Sequence, residues 1–91
     1  MEQANTRNLF PKIQKVWFEE NKIWITTEDG NQYSQPLEVF PALFLATPEE
    51  RGNYYLWCDD TSIRWDKLDE DIHVSNFFEH ETVNYLSLIH I

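Results

Sequence analysis

Two runs near the start of the chain, IQKVWFE (13–19) and KIWITTE (22–28), are rich in β-branched and aromatic residues. Only Glu20 and Asn21 separate them, so they predict a β-hairpin. Asp29-Gly30-Asn31 is a turn signal, because glycine supplies positive φ and Asp or Asn side chains bond the backbone just beyond them. A third short strand, QYSQ (32–35), is expected after it. Side chains alternate across a strand, so Val16 and Phe18 are expected to share a face with Ile23 and Ile25, while Trp17 and Trp24 point the other way.

The pattern then changes to near-helical spacing. In PLEVFPALFLA the apolar positions Leu37, Phe40 and Phe44, with Val39 and Leu43, lie three or four apart. Pro41 implies either a late start near Phe40 or a kink. A better-defined helix start follows at Thr47-Pro48-Glu49-Glu50. Thr47 is the capping residue, Pro48 fits the first helical position, and Glu50 stands where a capping-box carboxylate returns the bond. This predicts one turn of helix ending at Gly52. YYLWC (54–58), the turn Asp59-Asp60-Thr61-Ser62 and SIRW (62–65) predict a second hairpin, and Ser75 is placed to cap a short helix through Glu79. The resulting class is α+β: a small, mainly antiparallel sheet with a central helical segment and a short C-terminal helix.

Ninety-one residues make one domain, too small for a separate catalytic module or a large enclosed cavity. We divide the chain into an N-terminal arm (1–12), the domain (13–80), a polar stretch (81–85) and the apolar end LSLIHI (86–91). That hexapeptide is one reading frame of CTGTCTCTTATACACATC, a transposase end used to fragment sequencing libraries. It is therefore expected to be translated adapter, with the natural C-terminus missing. With 42% hydrophobic and 15% aromatic residues, the chain has the material for a folded core.

Charge narrows the partners. The net value is −9, and it is concentrated late: residues 1–47 hold four basic and six acidic groups, residues 48–91 three and ten. Such a field repels phosphate backbones and anionic membranes, and it favours a small basic protein partner. A homodimer also remains open. The single Cys58 forms no internal disulfide, and its place in the alternating YYLWC run beside Asp59 and Asp60 suits packing better than thiolate chemistry. MEQANTRNLFPK carries no signal-peptide pattern and no run reaches a membrane-spanning length, so a cytoplasmic setting is expected.

The acidic stretch IRWDKLDEDIHV (63–74) raises the question of chemistry. It lacks the glycine and twelfth-position glutamate of a calcium loop, and His73, His80 and His90 are not at a ligand spacing. Paired-carboxylate hydrolysis needs one dry and one wet acid, whereas four acids on a short connection between strand and helix are expected to be wet. We therefore expect no metal, no cofactor and no catalytic residue. Trp65, Leu68 and Ile72 are expected to face the core, with Asp71 accepting turn N–H groups and Arg51 or Arg64 pairing with Asp69 or Glu70.

Two segments in order, P-L-E-V-F-P-x-L-x-x-A-T-P-E-E-R (Pro36 to Arg51) and I-x-W-x-x-L-D-E-D-I-x-V (Ile63 to Val74), resemble the bacterial family called domain of unknown function 2442. The resemblance covers about Ile13 to Phe78 and assigns Pro41, Arg51, Trp65, Leu68, Asp69, Glu70, Asp71 and Ile72 to structural motif positions. It implies small intracellular proteins, some joined to a helix-turn-helix segment, others encoded beside a small gene in a toxin–antitoxin-like arrangement.

Trp17, Trp24, Tyr55 and Trp57 are the candidate interaction face. Aromatics of this kind either anchor a partner or are covered by another part of the chain. The function expected is a non-enzymatic protein-interaction module, antitoxin-like or regulatory. The alternative is a sensory or dimerisation domain of a transcriptional regulator whose DNA-binding segment is cut off.

Overall fold

The computed structural model describes residues 10–78. What was expected of residues 1–9 and 79–91, the adapter-like end and the last residue of the C-terminal helix included, lies outside them. Two antiparallel three-stranded sheets form: β1 (Ile13–Glu19), β2 (Lys22–Thr27) and β3 (Gln32–Pro36) in one, β4 (Tyr55–Trp57), β5 (Ser62–Trp65) and β6 (Glu70–His73) in the other. Between them run a 3₁₀ turn (Leu37–Val39) and two one-turn helices, α1 (Pro41–Phe44) and α2 (Pro48–Arg51). The α+β class is as expected, with two sheets in place of one.

The first hairpin follows from its turn. Glu20 and Asn21 both take positive φ (56° and 62°), the two-residue geometry whose twist matches that of the flanking strands. This pairs Trp17 with Trp24, Val16 with Ile25 and Phe18 with Ile23, as the alternation predicts. A bulge between Ile13 and Lys15 shifts the register, so that Ile13 and Val16, three apart, are both buried. Gly30, at φ +89°, and the Asp29 carboxylate, which accepts the Thr27 hydroxyl and the Asn31 N–H, close the turn into β3. The Thr27 bond above all, against the opposing effect of burial and with help from the Asn31 N–H, holds the Asp29 carboxyl below its usual value.

Pro41 splits the helical segment. It has no N–H and disfavours helical backbone at the residue before it, and Phe40 sits at φ −122°, ψ 87°. The helix therefore starts late, at Pro41. The Thr47 cap forms as expected: Glu50 N–H donates to Thr47 Oγ1 (3.1 Å) and Thr47 N–H to Glu50 Oε1 (2.9 Å).

Both sheets and the helical segment feed one core. Ile23, Ile25, Leu37, Leu43, Ile63, Trp65, Ile72 and Val74 are all sealed from solvent. Trp65 joins the parts. Its indole N–H donates to the Arg51 carbonyl (2.8 Å), and the Arg51 guanidinium donates to the carbonyls of Leu43 (2.8 Å) and Phe44 (2.9 Å) at the end of α1. Arg51 thus caps a helix and does not pair with Asp69 or Glu70.

The acidic stretch departs furthest from expectation. It does not lead from a strand to a helix; it is the turn of the β5–β6 hairpin, with Trp65 opposite Glu70 and Ile63 opposite Ile72. Trp65 and Ile72 are buried at strand spacing and Leu68 packs beside them. Residues 76–78 are helical, but the Ser75 hydroxyl meets His73 Nδ1 at 2.8 Å. Cys58 is exposed in the β4–β5 turn, and its carbonyl accepts from both Thr61 N–H and Thr61 Oγ1.

Trp65→Phe keeps most of the apolar bulk and removes one buried bond, so it should lower stability by about 1–3 kcal/mol. Thr47→Ala, which loses only the exposed cap, should cost about 1 kcal/mol. Urea unfolding of both variants checks the order.

Candidate functional site: an aromatic platform with a carboxylate rim

The four candidate aromatics fall on two different sheets, each pair on the face turned away from the common core. Trp17 and Trp24 form a closed unit. Their rings stack at 5.9 Å and 10°, and both indole N–H groups are satisfied by Glu19, one by its carboxylate (3.1 Å) and one by its carbonyl (3.2 Å). Lys15 and Lys22 lie over the two rings at 5.6 and 5.7 Å. This cross-strand ladder stiffens the first hairpin and uses up its own polar atoms.

Tyr55 and Trp57 differ. They lie two apart on β4, remain 48% and 43% exposed, and reach across β5. The Tyr55 hydroxyl donates to Asp66 Oδ1 (3.2 Å) and the Trp57 indole to Asp71 Oδ1 (3.3 Å). Trp57 pairs with Ser62 and Tyr55 with Arg64. Each ring therefore leans the same way, toward a carboxylate two residues nearer the β5–β6 turn. Ser62 beneath Trp57 is only 5% exposed although it points outward.

Arg64 sets the rim. Its Nε donates to Asp66 Oδ1 (3.1 Å) and its Nη2 to Asp69 Oδ1 (2.9 Å), while Asp69 takes positive φ (52°) to close the turn. Arg64 is thus the partner of Asp69, one of the pairings expected. The bonds to Asp69 and Asp66 raise the guanidinium's pKa. Partial burial, then the bond to Asp66, pushes the Tyr55 phenol up, so it stays a donor. Asp71 is an exposed strand residue that accepts from Trp57 and does not cap the turn.

Glu70 is the one half-buried acid of the stretch. Burial first, then Asp71 and Asp69, raise its pKa.

Glu70, half-buried between exposed Asp69 and Asp71, departs from the expectation that all four acids are wet. Among the described residues no group of three or more His, Cys, Asp or Glu is placed to hold a metal, and no helix is long and apolar enough to cross a membrane. A groove of about 490 Å³ runs past Thr47, Glu49, Glu50, Asn53 and Lys67, where Thr47 and Glu50 are the helix cap. The helical connection also exposes Val39, Phe44 and Leu45. Asp66 was read only as one of the four acids of the stretch, and its hold on both Tyr55 and Arg64 was not foreseen. The alternation of Ile72 and Val74 was the signal for β6, and with β6 in place Asp66 and Asp69 fall at the two ends of one hairpin turn.

Fold and face together define a small two-sheet α+β domain with an acidic aromatic platform. The chain belongs to the family described as Protein of unknown function (DUF2442), whose model matches residues 13–82 and includes both segments that carried the resemblance. No curated protein and no solved structure matches it.

Two outcomes follow. Because folded Glu70 holds its proton more tightly than the unfolded chain does, its favourable contribution is complete below the ordinary glutamate range and is lost as pH rises through the raised value. Glu70→Gln should therefore be more stable than the parent near pH 7, with the gain vanishing below about pH 4, in denaturation curves across pH. A double-mutant cycle on Trp17 and Trp24 should return about 0.5–1.5 kcal/mol of coupling.

Proposed function

We propose that this chain is a non-enzymatic protein-interaction module whose outward β4–β5–β6 face docks on a basic protein, as an antitoxin-like or regulatory partner does. The observation that carries this reading is the pairing of two exposed rings, Tyr55 and Trp57, with the carboxylates that hold them. Rings fixed before contact lose little side-chain freedom on binding, and aromatic anchors dominate the energy of buried interface centres. The carboxylate rim, within a chain of net charge −9, steers a basic surface toward them. Binding would block that surface, with no reaction required. In this reading the Trp17–Trp24 ladder, stacked ring on ring and less exposed than Tyr55 and Trp57, supports the hairpin.

Affinity capture from the source cells with the full chain tests this. Trp57→Ala with Tyr55→Ala should abolish recovery of a basic partner, and recovery by the parent should fall steeply with added salt. Trp17→Ala should leave capture intact in any variant that remains folded. Undiminished capture by the Tyr55/Trp57 double variant would remove the platform from the interaction.

A further inference from the structure

The platform already holds one guanidinium, its own. Arg64 stands on the outward face of β5 opposite Tyr55, and its fork is divided between Asp66 and Asp69 at 3.1 and 2.9 Å. The carboxylates are therefore spaced for a planar, multi-donor cation. The hydrogen bonds described for Asp66, Asp69 and Asp71 all fall on Oδ1. On these three side chains the second carboxylate oxygens are the acceptors left for an incoming donor.

The rings add a second preference. Tyr55 and Trp57 alternate on β4, so their attachment points repeat at about 6.6 Å along the strand. That is close to twice the ~3.5 Å separation of touching planar groups. Both rings lean in the same direction and both are held by a carboxylate, and each keeps close to half of its surface exposed for a planar group to lie against. An ammonium is compact, strongly hydrated and without a stacking face. A guanidinium stacks on aromatic faces, sheds water more readily and bonds carboxylates through two N–H groups at once.

We infer that the platform is an arginine receptor: the basic partner engages it through an arginine whose guanidinium stacks on Tyr55 and Trp57 and donates to Asp66 and Asp71, in preference to lysine. This deepens the docking role proposed above and rests on it. Charge complementarity alone would accept either cation, so selectivity is the part that the rings contribute. Asp66, which already binds the Arg64 guanidinium, would bind the incoming one as well, with Asp71 as its second acceptor.

The test uses the full chain labelled with ¹⁵N and two small probes, N-acetyl-arginine amide and N-acetyl-lysine amide, at low salt. The four tryptophans give separate indole N–H signals, and only Trp57 lies on the platform. The Trp57 signal should move with arginine at concentrations at least about threefold lower than with lysine, while those of Trp17, Trp24 and Trp65 stay still. Tyr55→Ala, at a half-exposed position that leaves the core intact, should weaken the arginine response several-fold. An equal response to lysine, or no movement of Trp57, overturns the arginine assignment. If partner capture nevertheless depends on Tyr55 and Trp57, the docking surface stands and only the choice of cation falls. If capture survives their replacement, the docking surface falls as well.

Discussion

Trp65 is the largest side chain sealed in the core, and it brings one polar atom in with it. A buried N–H without a partner would cost more than the bond is worth in water, so the indole fixes where the Arg51 carbonyl must lie. Arg51 in turn closes the end of α1 through two carbonyls. One residue of β5 thereby sets the position of both short helices. Neither helix, at four residues, would persist alone, since helix nucleation is costly and their stability comes from packing. The helical segment is in this sense an extension of the second sheet.

From that anchor the outward face follows. With Trp65 and Ile63 turned inward, strand alternation turns Arg64 outward, and the β5–β6 turn delivers Asp66 and Asp69 to its guanidinium. Exposed pairs of this sort add only about 0–1 kcal/mol each. Their importance is positional. They order the Asp66 carboxylate against which Tyr55 is held, while Trp57 is held by Asp71, and the two rings remain accessible because β4 is an edge strand of three residues.

Local rules carried most of the first half of the molecule. The register of β1 on β2, the opposed faces of Val16 and Trp17, and the Thr47 cap were all legible, because each depends on residues close in sequence. The second sheet was harder. LDEDIHV has both a four-residue spacing between Leu68 and Ile72 and an alternation between Ile72 and Val74, and a short run cannot choose between them. The choice is made by Ile63, which needs Ile72 opposite it. The aromatic face was foreseen as four residues, but only the assignment of strands to two sheets separates the ladder at Trp17 and Trp24 from the platform at Tyr55 and Trp57. No sequence signal marked Cys58 as a turn residue, since YYLWC alternates to its end.

Six non-glycine residues among those described adopt left-handed backbone: Glu20, Asn21, Cys58, Asp59, Asp60 and Asp69. Each is a place where glycine would be more comfortable. Four of the six are carboxylates, and three of those, Asp59, Asp60 and Asp69, lie in the turns of the second sheet. The turns are thus where negative potential is mounted, on backbone that resists it. Random substitution toward glycine would relax each turn and discharge it in the same step. For this surface, easier backbone and a weaker acidic field lie in the same direction of substitution.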